Sequence, residues 1–226
     1  MPRALIVQGG WSGHHPETIG EIFAIWLRAD GFDVSQRTSV EALREAATMQ
    51  PGDLIVPHWT MGEIDAETCQ IVLDAVARGV GIAGIHGGMG DAFRSNTEWQ
   101  FMVGGQFVAH PGNDGTQYTV RMGPQPHDIT HGLADFEVAS EQYYMHTDPG
   151  NVVIAECDFP NPSAAGPHAG NPCRMPVAWV KTWGEGRVFY CSLGHDPSLL
   201  AGTAEQLIRR GFRWAAGLPI VSGGDR

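Results

Sequence analysis

Gly79-Val80-Gly81-Ile82-Ala83-Gly84-Ile85-His86-Gly87-Gly88 reads as a buried strand running into a sharp glycine turn with a histidine at its tip. In α/β enzymes a G-x-Nuc-x-G turn between strand and helix lifts one side chain above the sheet and aims it at substrate. Gly84-Ile85-His86-Gly87-Gly88 has that spacing, with an imidazole where serine or cysteine would stand. The sequence therefore carries the architecture of a nucleophile elbow without its nucleophile.

Upstream of this turn, strand and helix alternate. Residues 4–8 form a short apolar strand, followed by the loop Gly9-Gly10-Trp11-Ser12-Gly13-His14-His15. Pro16 suits the first position of a helix, where its missing N–H would be unpaired anyway. Ile19, Ile22, Phe23 and Trp26 follow at helical spacing, and Gly31 ends the run. Residues 32–37 and 53–57 are the second and third strands. Asp65 caps a helix whose apolar face carries Cys69, Val72, Leu73 and Val76, with Gly79 as its stop. Residues 80–85 are the fourth strand. Such alternation over short connections predicts a mostly parallel sheet covered by helices on both faces.

Open sheets of this kind bind ligands outside the carboxyl ends of their strands. His14 and His15 follow the first strand, His58 the third and His86 the fourth, which makes all of them candidates for one site.

The second half is organised differently. Residues 116–122 alternate like a half-exposed strand, and 124–132 form a loop in which His127 and His131 read as structural. The Pro/Gly/Asn-rich residues 159–176 read as a loop insertion or lid. Residues 177–183 and 187–192 make a hairpin around Gly184-Glu185-Gly186. Thr203-Ala204-Glu205-Gln206 offers a capping box for a final helix. The whole reads as a single domain over residues 1–220, with 221–226 a flexible tail.

His195, in Gly194-His195-Asp196-Pro197, leaves a strand at the edge expected to carry His86, so the two suit general acid–base work on one small molecule. The plainer alternative is that each hydrogen-bonds loop backbone. His14 and His15 sit at a helix N-terminus, where free N–H groups attract anions or ligand oxygens. Trp11, and Trp59 beside His58, offer flat apolar faces to a sugar ring, or are simply core. His110 lies in another turn, and Glu141, near Tyr143, supplies a carboxylate that could orient an imidazole or accept a proton. Gly87 lies beside the elbow tip, where a ligand would approach the backbone.

Composition closes off other classes. With 14 Lys and Arg against 25 Asp and Glu, and a formal charge of −11, the chain lacks the basic surface that nucleic acid needs. The apolar run Ala4-Leu5-Ile6-Val7 is too short for a signal-peptide core, and nothing later approaches membrane-spanning length. Cys69, Cys157, Cys173 and Cys191 are scattered without a C-x-x-C pair, which suits a reduced, cytoplasmic setting. H-x-x-x-H, H-E-x-x-H, P-loop, G-x-G-x-x-G and G-x-S-x-G motifs are absent. No cofactor is required by these motifs. A divalent metal, assembled from distant loops, stays open as an alternative, and so does a homo-oligomer.

Gly9-Gly10 with Trp11 to His15, Gly84 to Gly88, Gly105 with Phe107 and His110-Pro111, Glu141 with Tyr143, and Gly186 to Tyr190 through Gly194-His195 together resemble the trehalose-utilisation (ThuA-like) family. The resemblance runs from about residue 3 to 217. It implies a flavodoxin-like three-layer sandwich, similar to class I glutamine amidotransferases, and a role in disaccharide or keto-sugar metabolism. A glutaminase of that fold needs a cysteine where His86 stands, and an imidazole does not replace that thiolate.

The expected function is acid–base chemistry on a keto-sugar or disaccharide derivative, as lyase, isomerase or hydrolase. His86 or Glu141 is the base, His195 the acid, and Trp11, His14, His15, His58, Gly87, His110 and Tyr143 bind the carbohydrate. The alternatives are a non-catalytic sugar-binding or regulatory protein and a metal-assisted hydrolase.

Overall fold

Five parallel strands, β1 (Arg3–Gly10), β2 (Asp33–Arg37), β3 (Leu54–Thr60), β4 (Gly81–Ile85) and β11 (Gly186–Cys191), stand in the order β2-β1-β3-β4-β11. This is the flavodoxin-like order, and the chain reverses its direction of travel between β1 and β3. The computed structural model describes residues 1–160 and 166–220. The expected tail at 221–226 and the centre of the expected lid lie outside the described residues.

The helices that join these strands form where their capping residues dictate. Helix α1 (Pro16–Ala29) starts at its proline and buries Ile19, Phe23, Trp26 and Leu27. Helix α2 (Ala66–Ala77) starts where the Asp65 side chain accepts the N–H of Thr68 at 2.9 Å. The β1-to-β2 and β3-to-β4 crossovers leave the switch point in opposite directions, so right-handedness puts α1 and α2 on opposite faces of the sheet. The last helix, α5 (Gly202–Ala215), joins α1 through Phe23 and Phe212, whose rings lie 5.1 Å apart. The result is a three-layer α/β sandwich. Among the described residues no helix is long and apolar enough to cross a membrane.

Beyond β11 the sheet continues antiparallel through β10 (Cys173–Trp183), β9 (Val152–Phe159), β6 (Thr116–Met122) and β7 (Phe136–Ser140). A separate ladder pairs β5 (Gly105–Ala109) with β8 (Tyr144–Thr147). Two short helices, α3 (His86–Gly90) and α4 (Thr97–Val103), connect β4 to β5.

Several of these elements differ from expectation. Strand β10 begins at Cys173, with Cys173 paired to Phe159 and Pro176 at an irregularity in the ladder, so both flanks of the Pro-rich stretch belong to a sheet. A bulge is one of the few places where a strand tolerates proline. Strand β3 runs on to Thr60, through Pro57, so His58 lies inside the strand and not after it. The continuous buried core gathers side chains from both halves of the sheet.

Candidate functional site

The strand exits of the parallel half converge on one cluster. His14 lies in a single 3-10 turn (Ser12–His14) after β1, His86 opens α3 after β4, and His195 follows β11. Glu141 enters from the antiparallel half, between β7 and β8. One ligand-type atom from each of these four residues lies within 4.8 Å of the others.

The glycine elbow has the backbone its sequence implied. His86 takes φ +46°, a left-handed conformation that costs a side-chain-bearing residue energy and persists only where its surroundings fix it. Its fixation is visible on three sides. Nδ1 lies 2.7 Å from the carbonyl oxygen of Ser192, and Nε2 lies 3.1 Å from Glu141 Oε2. The ring stacks on Tyr143 at 4.1 Å, and the Tyr190 hydroxyl donates to the His86 carbonyl at 3.0 Å.

Gly87 and Gly88 bring the elbow close to its neighbours. A methyl group at Gly87 would stand 2.6 Å from the His14 ring, and one at Gly88 would meet His58. Gly87 therefore makes room for the His14 imidazole.

Glu141 is the hub. Its Oε2 lies 3.1 Å from His86 Nε2, 3.3 Å from His195 Nδ1 and 4.0 Å from His14 Nε2, and its Oε1 lies 3.6 Å from His110 Nε2. The Tyr118 hydroxyl in β6 holds the Glu141 carbonyl at 3.1 Å. Next along the chain, Gln142 donates to the Asp158 carbonyl at 2.8 Å.

The electrostatics follow from burial. Desolvation, reinforced by repulsion from His86 and His195, pushes His14 down to about 2. Burial likewise lowers His86, against the opposing pull of Glu141. At Glu141 burial acts upward, but the His86 hydrogen bond and the surrounding imidazoles outweigh it and leave the carboxyl below its ordinary value.

Tautomers can be assigned from the partners. A carbonyl only accepts, so His86 Nδ1 carries a proton and donates it to Ser192. His14 Nδ1 sits 2.8 Å from the Thr60 hydroxyl, a bond that spans the β1/β3 switch point. Both rings consequently turn Nε2 toward Glu141. His195 Nδ1 is buried with no hydrogen-bond partner among the described residues.

Several expected roles change. His86, expected with Glu141 as an alternative base, is 0% exposed, its Nδ1 held by Ser192 and its Nε2 against Glu141. His58 is buried behind the cluster against Phe23, where desolvation takes it down to about 4. Tyr143 is also buried, as the stacking partner of His86. His15 stays outside the cluster and pairs with Asp196 at 3.7 Å, both half-exposed. Trp59 packs on Gly9 and Gly62 and is partly buried structure.

The solvent side is formed by Trp11, 46% exposed, with His110 at 35% and His195 at 16% of their side chains. Phe107 supports His110 from below, its ring 5.6 Å away and nearly parallel. Thr60 and Ser192, which orient two of the rings, were not apparent from sequence. Extending the third strand past Pro57 would have brought Thr60 to the sheet edge.

The four cysteines are free, three of them buried, and none is at the elbow tip. The donor set of three imidazoles and one carboxylate is of a kind that can hold a transition ion.

Residues 3–215 match the family described as trehalose utilisation, ThuA. The fold resembles a ThuA-like protein from Bacteroides uniformis, with a TM-score of 0.72, 18% identity, and 95% of this chain and 91% of that chain covered. A ThuA-like protein from Parabacteroides merdae is similar at a TM-score of 0.71 and 19% identity, covering 98% and 93%. A protein of Salmonella typhimurium described as cytoplasmic gives 0.60 at 14% identity, covering 94% and 95%. No curated protein sequence matches the chain significantly.

Proposed function

The chain belongs to the trehalose-utilisation (ThuA) family, and on that premise we propose that it is a cytoplasmic enzyme that moves a proton beside the carbonyl of a keto-sugar or keto-disaccharide. The observation that supports this reading is convergence. Side chains from four distant segments, His14, His86, Glu141 and His195, meet at the strand-exit edge where α/β sheets bind small molecules.

The roles follow from access. His110, on the solvent side with Glu141 Oε1 at 3.6 Å, takes the proton from the carbon next to the carbonyl. Glu141 stabilises the resulting imidazolium. The enolate oxygen turns toward the enclosed cluster, where fixed polar groups stabilise developing charge without reorganising. His86 acts as a positioning residue behind Glu141. Trp11 gives the sugar ring an apolar face.

Return of the proton to a neighbouring carbon gives an isomerase. Expulsion of a glycosidic oxygen from the β-carbon, which leaves with a proton while the C=C bond forms, gives a lyase. Glutaminase chemistry has no thiol at the elbow, whose tip is His86.

The test is exchange. A panel of 3-keto-glucosides and keto-disaccharides in D2O should incorporate deuterium next to the carbonyl, and His110→Gln should slow incorporation by about a hundredfold or more. Thermal stabilisation by these sugars with neither exchange nor product would replace the enzyme reading by that of a sugar-binding protein.

A further inference from the structure

We propose that His14 Nε2, His86 Nε2, His195 Nδ1 and Glu141 Oε2 are the ligands of one divalent transition-metal ion, zinc by donor set and size. The proposal builds on the functional reading above, because it names the electrophile of that same site.

The first argument is distance. Four ligands about 2.05 Å from a tetrahedral ion stand about 3.3 Å from one another. Glu141 Oε2 lies 3.1, 3.3 and 4.0 Å from the three nitrogens, which brackets that edge. Closing the 4.0 Å edge to His14 takes well under 1 Å of movement at either side chain.

The second argument is the outer shell. A ligating histidine ordinarily donates its other ring N–H to a carbonyl, carboxylate or hydroxyl, which fixes its tautomer. His86 does this to the Ser192 carbonyl at 2.7 Å, and His14 has the Thr60 hydroxyl at 2.8 Å. In both rings the nitrogen that faces Glu141 is the one not held by this outer partner.

The third argument is an unmet need. His195 Nδ1 is buried and has no hydrogen-bond partner among the described residues, although it stands 3.3 Å from a carboxylate oxygen. A buried nitrogen without a partner is costly in protein and finds its explanation when a cation is ligated there.

Enclosure points the same way. His14, His86 and Glu141 are all buried, so a sugar ring does not reach in among them. Three imidazoles select zinc and its first-row neighbours over magnesium or calcium, which prefer all-oxygen shells. With four protein ligands in place, the ion would take the substrate carbonyl oxygen only as a fifth ligand, from the side where His195 and His110 reach solvent.

The experiment uses the full chain purified without a histidine tag and loaded with zinc or cobalt alone. Elemental analysis should find about one zinc per chain, and Co2+ should give the intense visible bands of a four-coordinate site. Glu141→Gln and His195→Gln should each weaken binding by about ten- to a hundredfold while circular dichroism stays native. The exposed His131→Ala should bind as the parent does. Absence of stoichiometric zinc and of the cobalt bands, or equal binding by Glu141→Gln and His195→Gln, overturns the metal site. Deuterium exchange that survives complete metal removal overturns the ion's role as electrophile and leaves the proposed function standing. Metal bound at these residues without exchange on any keto-sugar overturns the function and leaves the metal site standing.

Discussion

His86 Nδ1 lies 2.7 Å from the carbonyl oxygen of Ser192, so the ring at the elbow tip is a donor on one side and faces a carboxylate on the other. The elbow after β4 and the exit of β11 are tied together by that bond. A 15N spectrum of the imidazoles should show His86 Nδ1 protonated at every pH at which the protein is folded. A bare Nδ1 would sink the assignment. His86→Ala strands the Ser192 carbonyl and a Glu141 oxygen, both buried, and should cost about 3 kcal/mol in urea unfolding.

Gly87→Ala probes the packing that lets the elbow approach His14. The backbone there is not in the left-handed region, so the effect is steric: a methyl 2.6 Å from the His14 ring. Overpacking of this kind should lower stability by about 1–3 kcal/mol and break the bond from His14 to Thr60. Differential scanning calorimetry together with deuterium exchange reads both effects. An unchanged melting temperature with full exchange would mean that His14 yields freely and that its position is not critical.

The parallel half was legible in the sequence because each strand and helix there carries its own signals: Pro16 and Asp65 as starts, Gly31 and Gly79 as stops. Because ligands gather at strand exits, His14, His86 and His195 could be nominated from the chain alone. The antiparallel half was less legible. Strand β7 has an alternating, half-exposed pattern that includes Glu137; α4 does carry an Asn96 cap and a Gly104 stop, but it spans only seven residues, too few to show a helical period. Glu141 could be named but not located, since it reaches the cluster through long-range pairing of β6 with β9. The position of His58 was misplaced by strand length: Pro57 suggested an end, whereas the strand continues to Thr60 and carries His58 into the core.

Trp11 is a large hydrophobic side chain left nearly half exposed, beside the cluster and edge-on to His14 at 4.7 Å. An exposed indole next to a polar cluster is suited to stacking on a sugar face. Trp11→Ala should raise KM for a keto-disaccharide about tenfold, equivalent to about 1.4 kcal/mol, and change kcat little. The same titration in the parent protein should perturb tryptophan fluorescence. Equal KM values for parent and variant would remove Trp11 from the binding surface.

Far from this site, the ion pair between Asp148 and Lys181 gives stability a pH dependence of known sign. Lys181 Nζ lies 2.8 Å from Asp148 Oδ2 and also donates to the Phe101 carbonyl at 2.7 Å, while Gly150 N–H donates to Asp148 Oδ1 at 2.7 Å. The Lys181 bond first, and the Gly150 bond after it, hold the Asp148 carboxyl below its ordinary value. A carboxyl depressed on folding stabilises the native state fully above its unfolded pKa of about 3.9, and that contribution disappears as pH falls through the lower folded value. Asp148→Asn should therefore unfold about 1 kcal/mol more easily than the parent at pH 7, a partly exposed pair being worth no more. The two should converge as the pH drops below about 4, because protonation removes the charge that the substitution removes. Urea midpoints measured from pH 7 to pH 2.5 would show this, and a constant gap across the range would mean that the charge on Asp148 contributes nothing.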